Sequence, residues 1–163
     1  MELKKHFDIK VLLLSVYVFG FLAYLVYGLL PVEASSYAVD SHLVIPSIAL
    51  SSTVTKVEIV DGSLPTPDTI VGSYTGGKNK TFLFGHSSTV FSDLDKVRIG
   101  DELIFGDVVY VVTAYDVYKK SDVDMSQILA SSERDSLVLM TCAGEDYGNG
   151  DSSHRLVINA ISH

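Results

Sequence analysis

Cys142, the one cysteine in the chain, closes a strand-like run, Leu137-Val138-Leu139-Met140-Thr141-Cys142. His86 closes another apolar run, Thr81-Phe82-Leu83-Phe84-Gly85-His86, and Arg155 opens a third that continues to Ala160. A thiol, an imidazole and a guanidinium at the ends of three separate β-runs are the groups a cysteine acyl-transfer site needs. One serves as nucleophile and one as proton shuttle, while the third steadies an oxyanion or clamps the substrate.

Each of these residues also has an ordinary structural reading. A free cysteine is commonly a small buried hydrophobe. Side chains alternate along a strand, so Leu137, Leu139 and Thr141 face one way and Val138, Met140 and Cys142 the other. What sets Cys142 apart is its place before Ala143-Gly144 and a polar loop, where a thiol is held rigidly yet can be reached. His86 alone would read as a solvated loop histidine. Of the remaining histidines, His6, His42, His154 and His163, only His154 is a serious rival, and its neighbour Arg155 would face the other side of a strand. Arg155 alone would read as a charge that discourages edge pairing. Glu145, Asp146 and Asp151, with Asn149, offer oxygen ligands for a hard cation such as calcium. No calcium-loop spacing accompanies them, so a solvated acidic loop is the preferred reading and no cofactor is expected.

The elements that must position these groups begin with the N-terminus. From Val11 to Leu30 the chain has 20 uncharged, mostly apolar residues, about the length of a membrane-crossing helix. Lys4, Lys5 and Lys10 flank its start, which by the positive-inside bias keeps residues 1–10 cytoplasmic. Residues 11–30 then read as an anchor and 31–41 as a spacer, with the remainder outside the cytoplasmic membrane. Val32-Glu33-Ala34 loosely resembles a signal-peptidase site, but the apolar stretch is longer than the 7–15 residues of a cleavable signal.

Residues 42–163 suffice for one domain with a real core. The formal charge of the chain is −8, and the three lysines named above are part of its small basic complement. With no Lys/Arg stripe to neutralise phosphates, nucleic acid is an unsuitable partner. A lone cysteine excludes an internal disulfide, a CxxC redox pair and Cys-rich zinc sites.

The patterning is β throughout. Strands are expected at Leu43–Ile45, Val57–Val60, Thr81–Gly85, Glu102–Phe105, Val108–Tyr118, Leu137–Cys142 and Leu156–Ile161. Turns are expected at 61–67 and 76–79, and Gly106-Asp107 reads as a tight hairpin link. Phe91, Leu94 and Val97 recur at helical spacing, and a further helical turn is expected around Met125, Ile128 and Leu129. Seven or eight short strands with little helix make a closed barrel or a sandwich, and the lack of a helical layer favours the barrel.

With these residues in hand, 42–163 resembles the sortases, membrane-anchored cysteine transpeptidases of Gram-positive-type cell surfaces. The family's nucleophile motif, T-L-x-T-C, is matched by Val138-Leu139-Met140-Thr141-Cys142, with Val138 in place of the first threonine. Phe84-Gly85-His86 matches the family's histidine, and His154-Arg155-Leu156-Val157 its arginine. Leu94, Gly100-Asp101 and Ile45-Pro46 match further family features in the same order.

The resemblance implies an all-β, closed eight-stranded barrel with one or two short helices behind an N-terminal transmembrane helix. It implies cleavage of an LPxTG-like sorting signal between Thr and Gly, with Cys142, His86 and Arg155 catalytic and Thr141 touching substrate. The partners would be surface proteins bearing a C-terminal sorting signal, and an amine from a cell-wall precursor or a pilin-like protein. Two alternatives stand beside it: a membrane-tethered cysteine hydrolase with water as acceptor, and an inactive barrel that binds surface peptides.

Overall fold

The computed structural model describes residues 41–148 and 151–163. The anchor and spacer therefore lie outside the described residues, except Ser41, which opens the first strand. Among the described residues no helix is long and apolar enough to cross a membrane.

Eight strands follow one another: β1 (Ser41–Ile45), β2 (Leu50–Lys56), β3 (Val71–Thr75), β4 (Lys80–Phe84), β5 (Glu102–Phe105), β6 (Val108–Lys119), β7 (Ser136–Asp146) and β8 (Ser152–Ser162). They close into a barrel in the order β1-β2-β3-β4-β7-β8-β6-β5. Closure is made by Leu43 opposite Phe105 and Val44 opposite Ile104. Two pairs are parallel, β2 with β3 and β4 with β7. Parallel neighbours need a crossover: residues 57–70 supply it between β2 and β3, and residues 85–135, which include β5 and β6 on the far side of the barrel, supply it between β4 and β7.

The expected hairpin at Gly106-Asp107 joins β5 to β6, with Gly106 in the left-handed region at φ 58°. β6 carries a bulge between Val112 and Ala114, which lets so long a strand bend around the barrel. Phe91, Leu94 and Val97 are all buried, and Leu94–Lys96 forms a 3₁₀ turn that presents them to the barrel interior. Met125–Ile128 is a single helical turn, α1, capped by Asp124, whose Oδ1 accepts from the Ser126 backbone N–H at 2.9 Å.

Two strands differ from expectation. Val57–Val60 is not a barrel strand; β2 lies just before it, and β3 is an additional strand. β2 is Ser/Thr-rich and turns chiefly Ser52 and Val54 inward, so its apolar alternation is faint. After β2 the Val57 N–H reaches the Ser73 carbonyl at 2.8 Å, and then the chain turns away. Val60 and Ser63 exchange both backbone hydrogen bonds around Asp61-Gly62, whose φ angles are 50° and 77°. Such a two-residue turn closes a miniature hairpin, here outside the barrel.

The interior is filled by Leu43, Ile45, Val54, Val71, Leu83, Leu103, Leu137, Leu139, Leu156 and Ile158. A second apolar cluster lies on the outer face of the β4–β7 pair and includes Phe82, Phe84, Val138 and Val157. β4 and β7 are therefore apolar on both faces, which explains their uninterrupted runs Phe82–Phe84 and Leu137–Met140. Replacing the fully buried Leu139 by alanine should cost roughly 2–5 kcal/mol, read by urea unfolding. Val109→Ala, at a half-exposed position of the same barrel, should stay within about 0.5 kcal/mol of wild type.

Candidate active site

Strand register decides which polar residues meet. In the parallel β4–β7 pair the last rung joins Phe84 to Met140. The β4 ladder stops at that rung; Gly85 and His86 follow it, as Thr141 and Cys142 follow Met140, and His86 and Cys142 line the same groove. On the other side of β7, Cys142 stands opposite Arg155 of β8. The thiol thus lies between the segment that carries the histidine and the strand that carries the arginine, and all three line one groove. The regular β7–β8 ladder runs on through Ala143 opposite His154 and is then interrupted before Asp146. Cys142 and Arg155 accordingly sit just inside the strands, rather than at their first and last residues.

One hydrogen bond holds the crossing. The Thr141 hydroxyl donates to the Gly85 carbonyl at 2.8 Å, and the contact is buried. It ties the residue before the thiol to the residue before the imidazole, one step past the end of the β4 ladder. Gly85 is required by space: a Cβ there would stand 2.5 Å from Val90 Cγ1. The turn beyond it folds back through the Thr89 and Phe91 N–H groups, both donating to the His86 carbonyl at 3.2 and 3.0 Å. His86 is thereby anchored through its backbone, with its ring at the groove.

Arg155 is held by the loop that leads into β8. Its Nη2 donates to Asp151 Oδ1 at 2.7 Å, and its Nη1 donates to the Ser152 and His154 carbonyls at 2.9 and 2.8 Å. The side chain is only 15% exposed. A guanidinium has five N–H donors, so these bonds fix its plane without exhausting it. Asp151 also accepts from Lys120 at the end of β6. The Lys120 ammonium and then the Arg155 guanidinium hold the Asp151 carboxyl well below the usual carboxylate range. The residue weighed above as a cation ligand is thus engaged as an anion between two cations.

His154, the rival histidine, turns to the other face, where Nδ1 lies 2.7 Å from Ser153 Oγ and the ring packs over Gly144. His42 lies away on β1, 2.7 Å from Ser51 Oγ.

The groove, about 420 Å³, runs along the outer face of β4 and β7. Phe82 and Phe84 floor it as a stacked pair with centroids 5.3 Å apart, beside Met140. Met125 and Leu129 form one wall, and Ile59, Gly62, Leu64 and Thr66 of the β2–β3 connection form the other. An apolar cleft ending in a few convergent polar groups has the form of a small-ligand or peptide site. The walls were not foreseen from sequence, although Met125 and Leu129 had been seen as the apolar core of their segment. The double-faced apolar runs of β4 and β7 were the available signal that something covers their outer side.

Two expectations follow. Thr141→Val leaves the Gly85 carbonyl buried without its donor and should cost about 1–3 kcal/mol, whereas Thr141→Ser keeps the hydroxyl and most of the stability. Equal unfolding midpoints for the two variants would remove the bond from this account. Because the Asp151 carboxyl is depressed in the fold, its contribution is complete above the ordinary value of 3.8 and disappears as pH falls below it. Melting temperatures of wild type and Asp151→Asn should therefore differ at neutral pH and converge in acid.

The Sortase domain model matches residues 43–162. Among solved structures, the lid mutant of sortase A from Corynebacterium diphtheriae is 23% identical, with TM-score 0.59, covering 77% of this chain and 70% of that one. Sortase C-1 from Actinomyces oris is 25% identical, with TM-score 0.56 and coverages of 76% and 71%. Sortase A from Listeria monocytogenes is 20% identical, with TM-score 0.58 and coverages of 77% and 88%. No curated protein matches the chain. The family match reaches all eight strands and takes in Cys142, His86 and Arg155, and the chain belongs to the sortase family.

Proposed function

We propose that the chain is a cysteine transpeptidase that cuts an LPxTG-like sorting signal between Thr and Gly and passes the acyl group to an amine. The observation that supports this is the shared lining: Cys142, paired with Arg155 across β7 and β8, and His86, just past the end of β4, meet in one largely apolar groove. An extended peptide lying along the groove would direct apolar side chains onto the phenylalanine floor and its scissile carbonyl toward the thiol.

In the first half-reaction the Cys142 sulfur, as thiolate, attacks the threonine carbonyl and the carbon–oxygen double bond becomes an oxyanion. Arg155 steadies that charge or positions the peptide. The oxyanion collapses, the carbon–nitrogen bond breaks, and the glycine nitrogen leaves with a proton from His86. A thioester on Cys142 remains. In the second half the acceptor amine attacks that thioester, His86 takes its proton, and the sulfur leaves as the thiolate that began the cycle. Thr141 contributes here by holding Cys142 against the His86 strand, and its place in the groove lining leaves it in reach of substrate. No step needs a metal, so a calcium chelator is expected to leave the rate unchanged.

The substrates in this reading are surface proteins carrying a sorting signal, and the acceptor is an amine of a cell-wall precursor or a pilin-like protein. Residues 11–30 would hold the enzyme in the membrane with its barrel outside.

The test uses the full chain in detergent, beside Cys142→Ala, with a mixed library of LPxTG-like peptides and amine acceptors followed by mass spectrometry. A thioacyl adduct on Cys142 and a Thr–acceptor product, both absent from the variant, are expected. His86→Ala should lower the rate by about 10²–10⁴-fold, the usual worth of positioned acid–base catalysis. Cleavage without transfer would make the protein a hydrolase. Neither product, with a thiol inert to alkylation, would make it a peptide-binding barrel.

A further inference from the structure

The groove wall formed by Met125 and Leu129 is held from outside the groove. Helix α1 has four residues, far too few to be stable alone, so its neighbours decide where the wall stands. The C-terminal end of that wall is docked on the β3–β4 turn. The Gly77 N–H donates to the Leu129 carbonyl at 2.7 Å, and the Ser132 N–H donates to the Lys78 carbonyl at 2.9 Å. The Asn79 amide, with φ 58°, donates to the Ser132 carbonyl at 3.3 Å. The turn itself is no part of the groove lining; it borders a separate concavity with Tyr110 and Asp135.

The fit leaves no slack. A Cβ on Gly77 would stand 2.6 Å from the Ser131 backbone nitrogen and 2.9 Å from its Cα. Both are backbone atoms, so the segment next to Leu129 would have to move as a unit. The φ of Gly77 is outside the left-handed range, so alanine would suit the backbone and only the contact resists it. A Cβ on Gly76 would likewise meet the Leu129 carbonyl at 2.9 Å.

We propose that Gly77 and Asn79 are positioning residues for substrate choice, fixing the width of the groove where an apolar side chain of the donor peptide is gripped. Gly77 acts through the Leu129 carbonyl, and Asn79 through the Ser132 and Glu133 carbonyls of the segment that follows it. This rests on the transpeptidase reading above and adds to it a determinant that never touches substrate. The chemistry recognised is a branched aliphatic side chain upstream of the scissile bond, held between Leu129 and the floor of Phe82 and Met140.

The experiment compares the full-length wild type, Gly77→Ala and Asn79→Asp on the peptide Leu-Pro-Ala-Thr-Gly and on the same peptide with its leucine replaced by alanine. Asn79→Asp keeps a residue that tolerates the left-handed turn, and replaces the amide donor by a carboxylate that the Ser132 and Glu133 carbonyls repel. A hydrophobic pocket discriminates by about 10–200-fold for a single methylene, so a pocket that fits leucine should reject alanine by at least that, and both variants should reduce the ratio by about tenfold. KM for the leucine peptide should rise by a similar factor with kcat nearly unchanged, the pattern of lost binding common to ground and transition states. Alkylation of Cys142 by iodoacetamide should proceed at the wild-type rate, since the thiol and its strand are not moved. Folded variants with an unchanged ratio and KM would overturn the proposal, and so would loss of the fold in both, which would make the turn a folding determinant. A wild type that cleaves neither peptide but keeps a reactive thiol would instead defeat the transpeptidase reading, and this inference with it.

Discussion

The parallel pairing of β4 with β7, finished by the Thr141–Gly85 hydrogen bond, is the constraint from which the site follows. The two strands belong to distant parts of the sequence, and a crossover containing β5 and β6 separates them. Their register, with the Thr141–Gly85 bond beyond it, brings the segment that carries His86 beside the one that carries Cys142. A slip of one residue would turn Cys142 into the barrel interior and Thr141 out to the groove, because side-chain direction has a period of two. The inner row of Leu137 and Leu139 and the outer row of Val138 and Met140 both resist such a slip, since each is already packed in its own cluster. Core packing thus sets the geometry of the proposed catalytic groups, and the threonine hydroxyl secures the last step where the β4 ladder has stopped.

A second consequence of double-faced strands is that the site has two independent supports. The barrel interior keeps β4, β7 and β8 in place, while the outer cluster supplies floor and walls. Side chains such as Phe82 and Met140 serve both packing and binding, and their exposure is governed by how closely the covering segments approach. Those covering segments are short. The β2–β3 connection carries its own two-residue hairpin, and Ile59 and Val60 on it are 53% and 58% exposed. Of the two, Ile59 lines the groove, so a ligand lying there would cover it.

Much of this was legible in the sequence, and the rest was not for identifiable reasons. Cys142, His86 and Arg155 stood out because each polar residue adjoins a strongly apolar run, and strand-like runs survive into the fold. The hairpin at Gly106-Asp107 and the buried trio Phe91, Leu94 and Val97 were equally plain, since turn chemistry and spacing are local. β2 was missed because Ser52 and Thr53 dilute its alternation, and β3 because Gly72 and Ser73 break it. Val57–Val60 misled for the opposite reason: its alternation is real, but Asp61-Gly62 closes a local hairpin before the strand can join the barrel. The tie from Lys120 through Asp151 to Arg155 joins two separate segments and has no local signature at all.

That ionic tie also bears on how the arginine proposed to meet substrate is held in a protein of net charge −8. An exposed guanidinium among many carboxylates would be drawn toward whichever acid lay nearest, at a cost in side-chain entropy each time it was placed on substrate. Here one carboxylate is committed to it in advance. Asp151 is itself shared with Lys120, so it attracts Arg155 less exclusively than it would as a sole partner. The carbonyls of Ser152 and His154 then fix the plane of the group without adding net charge. In the proposed reaction, binding a peptide carbonyl would require no rearrangement of the arginine, only the use of donors that its own loop has left. Preorganisation of this kind lets a single hydrogen-bond donor count for more in a transition state than it would in water. In this barrel it is supplied by the β7–β8 loop and the end of β6, while the apolar end of the same groove is fixed by the β3–β4 turn. Chemistry and recognition are thus placed by different parts of one strand frame.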